Sequence, residues 1–421
     1  MPDLFWDRVF LCVLRAFSVL RALSGEFFTG PPMILSGAGS STSPSTLDAV
    51  RAAVSDALAR AEIDRADLVF LFATHHHASE VGPMLRTAVE RSGTEAVVGC
   101  SGMRVLTGQG EIEREPGVAV LALAGEDLTA TPFLARGEDA ADQIAEKLRP
   151  HRSDESVLIL LPDPFHYHPS ALIHRIQESL GEVPVVGGAA SGHPMERRTL
   201  QWCGEEVVED GVAGVLLGGP LRAVTGVAQG CQPFGQAYTI TKAQGTVIHE
   251  IAFAPAVDAL KEALETLTPE EKEYAGRNIF AGLMMDEYAT SRERGDFLIR
   301  NLVGMNPNTG AIAIAEQVEV GQTIQFNLRT PEAAHLDAEQ MIEHLAVATR
   351  ETPPQFGLYF NCLGRGFGLY SQPDHDVSVI RKHLGDLPLA GFFGNAEFAP
   401  VAGRNFVHNY TGALILFTEQ T

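Results

Sequence analysis

The sequence is short of positive charge. Its 31 lysines and arginines stand against 53 aspartates and glutamates, for a formal net charge of −22 and a pI near 5.0. A field of that sign repels nucleic acid and the anionic inner leaflet of a membrane, so neither is an expected partner. Cysteine is sparse and scattered: Cys12, Cys100, Cys203, Cys231 and Cys362 have no CxxC spacing and an odd total, which excludes a disulfide framework and a structural zinc site as sequence readings. A reducing compartment, the cytoplasm, fits this usage. Uninterrupted apolar runs of membrane length are also missing. The stretch Phe5 to Phe28 is broken by Asp7, Arg8, Arg15, Arg21 and Glu26, and its acidic residues sit where a signal peptide would be basic. The glycines form neither a Walker nor a Rossmann spacing in context, and no CxxCH is present, so neither phosphate cradling nor covalent haem attachment is signalled.

What remains is the composition of an ordinary globular protein, 45% apolar and 20% charged over 421 residues, a length that suits two or three domains. Recognisable domain pattern begins at Met33. Residues 1–32 read either as an extension from a misplaced start or as an amphipathic docking helix, and expression from Met33 distinguishes the two. A helix over residues 47–61 is expected from Leu47, Val50, Val54 and Leu58 at helical spacing, with Ser45 or Thr46 as its cap.

Three segments then share one order of elements: a buried strand, a helix, a strand ending in glycine, a polar loop, and a strand that begins near glycine. The first runs from LVFLFA (68–73) through the helix of Met84 to Arg91 to AVVGC (96–100) and GVAVLALA (117–124). The second runs from SVLILLP (156–162) through Ala171 to Leu180 to VPVVGG (183–188) and GVAGVLLG (211–218). The third runs from GLYFNC (357–362) through Val377 to Leu384 to LPLAGFF (387–393) and TGALILF (411–417). Strands apolar on both sides must be covered on both faces. The expected fold is therefore α/β: mixed β-sheets with outer helices, built from repeated strand–helix–strand–strand units, with stacked αββα layers as the simplest packing. Between the second and third segments, Val227 to Lys242 alternates like exposed strands, Pro255 to Leu267 and Asp337 to Thr349 read as helices, and Asn306 to Gly310 as a tight turn. The domain break is placed at 222/223, giving 33–222 and 223–421.

On these residues the chain resembles the FIST family in its paired N- and C-terminal domains. The N-terminal likeness rests on Val97-Val-Gly-Cys-Ser-Gly102 with Gly110-Glu-Ile112, and on Val183-Pro-Val-Val-Gly-Gly188. The C-terminal likeness rests on Phe234-Gly235 with Tyr238-Thr-Ile-Thr241, Arg300 to Gly304, Asn361-Cys-Leu-Gly-Arg-Gly366, Pro388-Leu-Ala-Gly391, Asn395-Ala-Glu-Phe-Ala-Pro400 and His408-Asn-Tyr-Thr411. The resemblance implies a sensory, signal-transducing role with a small-molecule ligand, and haem in some members. Unlike common members, this chain carries no attached kinase, methyl-accepting, cyclase or F-box segment, so the resemblance implies a separate signalling partner for any output.

The candidate ligand-binding residues follow the repeated strands, where ligands collect in open sheets. Arg365 offers a two-point clamp for a carboxylate, and Cys362 beside it is read either as a thiol of lowered pKa or as an inert core residue. Cys100 and Ser101 occupy the corresponding strand end of the first segment. Gly391 reads as a close backbone approach or merely a turn. Asn395, Glu397 and His408 add donors, a carboxylate and an imidazole, a set suited to an amino-acid-like metabolite. A thiol-dependent hydrolase or transferase using Cys362 or Cys100 is the competing reading, with no catalytic base identified. The run His75-His-His77, like His166 and His168, reads as loop lining rather than a metal site, because neighbours on a strand alternate sides. One test decides the scheme: Arg365 and Glu397 must share a site.

Overall fold

The computed structural model describes residues 34–193, 195–285, 287 and 297–420; the expectations for residues 1–32 lie outside them. The three sequence segments are three copies of one unit. Each copy has an opening strand, a helix, a second strand, a second helix, a third strand, a hairpin and a closing strand. Unit one runs from Leu35–Ser41 to Val118–Ala124, unit two from Thr129–Arg136 to Gly211–Gly218, and unit three from Leu221–Ala228 to Gly412–Glu419. The expected break at 222/223 falls at the start of the last of these opening strands.

In every unit the second and third strands are parallel, joined across a helix as parallel pairing requires, and the closing strand lies antiparallel between the second strand and the opening one. The registers coincide. Leu71 faces Gly99, Leu160 faces Gly187 and Tyr359 faces Gly391. In all three a Cβ on the glycine would overlap the carbonyl oxygen of the facing residue. Gly391 is therefore required by strand packing, which settles between the two sequence readings: the close approach is to Tyr359, its own sheet neighbour.

The second strands LVFLFAT, VLILLP and FGLYFNC are buried at every position, and the alternation of side chains divides each between two layers. Phe70 and Phe72, Ile159 and Leu161, and Leu358 and Phe360 point into one common core. Val69 and Leu71, Leu158 and Leu160, and Tyr359 point outward onto the helices of their own unit. Any two units thus face one another as helix, sheet, sheet, helix, and three such sheets close around one apolar centre. Mixed sheets with outer helices are what the repeats predicted.

The polar loops are not loops. Each is a hairpin that leaves its own sheet and adds to the third strand of another unit. The hairpin of unit two pairs Gln201 with Cys100, that of unit three pairs Glu397 with Gly188, and that of unit one pairs Leu106 with Gly391. The exchange closes into a ring, so each third strand has its open edge covered.

Unit three is interrupted between its opening strand and the helix Pro331–Ala348 by a separate antiparallel sheet. That sheet has its own core, including Ile240, Ile248, Leu260 and Phe326. The segment expected as helix from Pro255 folds as Ala256–Glu265, and the helix expected from Asp337 begins earlier, at Pro331, capped by Thr330. Two further elements there were not expected from the sequence: the helix Pro269–Asn278 and the strand Ile279–Met284. No described helix is long and apolar enough to cross a membrane.

Candidate functional site

The second strand of unit three ends at Cys362, and the chain then turns tightly, with the Arg365 amide donating to the Cys362 carbonyl. A one-turn helix, Phe367–Tyr370, follows, and left-handed backbone at Ser371 and Asp374 leads into the helix His375–Leu384. This path folds Arg365 inward until none of its side chain is exposed, and Asp376, equally buried, meets it. Asp376 Oδ2 accepts from Tyr359 Oη at 3.0 Å, Asn361 Nδ2 at 2.9 Å and Arg365 Nε at 3.1 Å; Oδ1 accepts from Arg365 Nη2 at 3.2 Å and His375 Nδ1 at 2.8 Å. Burial is the largest single influence on Asp376 and opposes its charge. The Arg365 charge and the donors from His375 and Arg365 together outweigh it and hold the carboxyl well below its ordinary range. The same pairing outweighs burial at Arg365 and keeps its guanidinium protonated.

Two other parts of the fold converge here. The exchanged hairpin of unit three supplies Glu397, fully buried, whose Oε2 accepts from the Thr411 amide at 3.2 Å and the Thr411 hydroxyl at 2.7 Å. The inserted sheet supplies Arg329, just past its last strand, which donates through Nη2 to the Gly364 carbonyl at 2.9 Å and lies over the Tyr410 ring. Burial pushes the Glu397 carboxyl up to about 8, against the Thr411 hydrogen bonds and the charges of Arg365 and Arg329. The charges of Arg365 and Arg329 thus both act on Glu397.

The cluster is polar and incompletely paired. Arg365 Nη1, Arg329 Nε, Glu397 Oε1 and Tyr370 Oη are buried and have no hydrogen-bond partner among the described residues. Leaving such atoms unpaired costs roughly 1–3 kcal/mol each, more for charged groups.

The two thiols beside it behave otherwise than the enzyme reading requires. Burial, then the Glu397 charge, pushes Cys362 up to about 12, and burial pushes Cys231 to about 12 as well. Arg365 does not generate a thiolate at Cys362, because its charge is spent on Asp376. Cys100 sits in the central apolar core, where burial raises its pKa well above the ordinary value. Neither proposed nucleophile is activated.

Of the eight residues singled out, the fold gathers Cys362, Arg365 and Glu397. The remaining five have structural tasks: Ser101 and Asn395 bond across units, Cys100 packs in the common core, and Gly391 and His408 act within unit three. Ser101 Oγ donates to the Ser191 carbonyl and accepts from the Leu200 amide. Asn395 Nδ2 donates to the Ala190 carbonyl. His408 Nε2 donates to the Ala399 carbonyl, and burial, then the Arg300 charge, lowers its pKa to about 4. Sequence reasoning missed Asp376, Arg329, Tyr370 and Cys231. A charge opening a helix, as His375-Asp376 does, is too common a pattern to single out, and Arg329 lies in a segment whose placement depends on the insertion.

The histidines that the sequence singled out are engaged within the fold. His77 is buried with its Nδ1 on Thr46 Oγ1, His75 stacks on His76 and abuts His193, and His166 is held by Asp163 at 2.6 Å. The cleft bearing His166 and His168 is also lined by Glu138, Arg175 and Asp210, not the apolar slot a porphyrin needs. Among the described residues no group of three or more histidine, cysteine or acidic side chains is arranged to hold a metal ion.

Fold and cluster together define an α/β protein with a buried, charged and incompletely paired cluster in its third unit. The chain belongs to the FIST family: the FIST N domain matches residues 67–252 and the FIST C domain residues 256–400. FIST domains are sensory domains that bind small ligands. The chain is 36% identical over 389 residues to the uncharacterized protein Rv0628c of Mycobacterium tuberculosis, covering 91% of this chain and 99% of that one. It is 35% identical over 388 residues to the uncharacterized protein Mb0898c of Mycobacterium bovis, covering 91% and 98%. Among solved structures it has a distant likeness to a cyanuric acid hydrolase from A. caulinodans, at 10% identity and a TM-score of 0.28 over 46% of this chain and 72% of that one; nothing below rests on that likeness.

Proposed function

We propose that the chain is a sensory protein whose ligand is a small amphoteric metabolite of the amino-acid class, held in the buried cluster of Arg365, Arg329 and Glu397. Occupancy would be passed to a separate signalling protein. The observation that supports this is the set of unpaired atoms. Two are guanidinium nitrogens, suited to a carboxylate, and one is a carboxyl oxygen, suited while protonated to a ligand hydroxyl or carbonyl and, once its proton passes to a ligand amine, to the resulting ammonium group. The cluster lies where three parts of the fold meet, the third unit, its exchanged hairpin and the inserted sheet, so a ligand that bridges them reinforces contacts between otherwise separate elements.

A thermal-shift panel of amino acids, nucleotides and organic acids tests the reading. A ligand at 100 times its Kd stabilises by about 2.7 kcal/mol. Compounds carrying both a carboxylate and an amine should raise the melting temperature, and Arg329→Met should abolish the rise while the protein remains folded. A panel in which no amphoteric compound acts, or in which Arg329→Met responds like wild type, refutes it.

A further inference from the structure

The hairpin that unit one lends to unit three does more than cover an edge. Its residues grip the segment that folds over Arg365. Arg104 donates through Nη1 to the Arg365 carbonyl at 3.0 Å and through Nη2 to the Leu363 carbonyl, while its own carbonyl accepts from the Phe393 amide. Glu113 pairs with Arg104 at 2.8 Å and accepts from the Phe367 amide at 2.9 Å. Glu111 Oε1 accepts from the amides of Asp376 and Val377 at 3.0 and 3.1 Å, and the Glu111 amide donates to Asp374 Oδ1 at 2.6 Å. The chain between Leu363 and Val377 is thus tied at both of its ends, over 363–367 and 374–377, to three residues from the N-terminal half.

The pseudo-symmetry of the molecule shows that this grip is not needed to dock a hairpin. By the shared register, the place of Arg104 is held by Leu200 and Ala396 in the other two hairpins, and the place of Glu111 by Val207 and Val407. Those hairpins dock with apolar side chains at both positions. Only the hairpin over the charged cluster carries an arginine and a carboxylate there. The outer face of the gripped segment is the stacked pair Tyr370 and His375, 3.4 Å between ring centroids, and Arg365 lies behind the Tyr370 ring. That pair forms one wall of a surface cleft of about 470 Å³, whose other walls include His335, Gln372 and Lys382.

We propose that the hairpin of unit one is the latch of the buried site. Arg104, Glu111 and Glu113 are positioning residues that hold Leu363 to Val377 closed over Arg365, and a ligand enters from the cleft when this segment lifts. The proposal rests on the reading of the cluster as the ligand site, and it assigns control of entry to the N-terminal half of the chain.

The test needs no ligand, because Cys362 and Cys231 report on opening of the cluster and Cys100 reports on the common core. The full chain is treated with N-ethylmaleimide under native conditions, and labelling of each cysteine is followed by peptide mass spectrometry. Glu111→Val, which installs the residue found in the other hairpins, should raise the labelling rate of Cys362 and Cys231 at least tenfold and leave Cys100 unchanged. Glu111→Gln, which keeps an acceptor for the Asp376 and Val377 amides, should label like wild type. Should Glu111→Val not accumulate as folded protein, Arg104→Met, which releases the Leu363 and Arg365 carbonyls, must show the same selective rise. Equal rates in Glu111→Val and wild type, a matching rise at Cys100, or equal behaviour of the Gln and Val variants would overturn the latch. Failure of every amino acid in the thermal-shift panel would remove the ligand assignment and leave these rates unaffected.

Discussion

Glu397→Gln should make the protein more stable, and increasingly so as the pH rises. The folded carboxyl holds its proton up to about 8, whereas an exposed glutamate releases it near 4.5. Between those values the folded state binds a proton the unfolded state does not, so wild-type stability falls as pH rises through that window, and the loss is complete above about pH 8. At 1.36 kcal/mol for each tenfold in proton affinity, the ceiling is roughly 3 kcal/mol at pH 7 and roughly 5 above pH 8. The glutamine keeps the carbonyl oxygen that accepts from Thr411 and removes the ionisation. An internal precedent supports the substitution: at the corresponding place in unit two stands Gln201, fully buried, whose Oε1 accepts from the Gly211 amide as Glu397 Oε2 accepts from Thr411. Urea unfolding of both proteins from pH 5 to pH 8.5 measures the difference. It should be near zero at pH 5 and reach a few kcal/mol in favour of the variant at pH 8. A variant less stable by the same amount at every pH would show that the carboxyl is ionised and structurally engaged, and would refute both the burial argument and the assignment of Oε1 as a free ligand contact.

Two further substitutions probe the frame of the site. Asp376→Asn removes the charge that faces Arg365 and leaves a buried guanidinium uncompensated, so it should cost 3–5 kcal/mol in urea unfolding; a cost below about 1 kcal/mol would mean that Arg365 finds water or another acceptor. Gly391→Ala places a methyl against the Tyr359 carbonyl and should destabilise by about 1–3 kcal/mol or more, as should Gly99→Ala against Leu71. Unequal tolerance at these two glycines would contradict the equivalence of the units.

Much of this architecture was legible in the sequence because the repeated strands are buried on both faces, and runs such as LVFLFA and VLILLP need no tertiary information to be read as such. Arg365 and Glu397 were legible for the same reason, since both follow identifiable strand ends. The hairpins were not. The strands Val105–Thr107 and Gly110–Ile112 are three residues each, and their apolar partners belong to a unit almost three hundred residues away, so no local periodicity announces them. The helix Pro269–Asn278 escaped because it has no apolar stripe. Its signals are proline at the first turn and the reciprocal bonds of Thr268 and Glu271, a capping box rather than a pattern of burial. Of the two readings of Cys362, burial supports the inert core residue; the sequence alone left the choice open because proximity to Arg365 says nothing about where the guanidinium is already committed.

The three units also explain why one strand end became a site and two did not. Thr74, Asp163 and Cys362 are equivalent by register, and each donates its amide to the carbonyl of the residue at or immediately before the start of its closing strand: Gly117, Gly211 and Thr411. In unit one the Thr74 hydroxyl turns back to accept from the Gly117 amide. In unit two both oxygens of Asp163 are taken, Oδ1 by Thr199 and Oδ2 by the amides of Phe165 and His166 and the His166 ring. Those ends close on themselves. Unit three carries a cysteine there, and as in unit two the amide at the start of the closing strand is capped from the exchanged hairpin, but by Glu397 rather than by Gln201, whose Nε2 is taken by the Thr199 hydroxyl. A glutamate that caps with one oxygen has a second to spare, and the insertion unique to this unit brings Arg329 to the same place. The unsatisfied cluster thus follows from a small set of departures from an otherwise repeated design, concentrated where the two halves of the chain exchange structure.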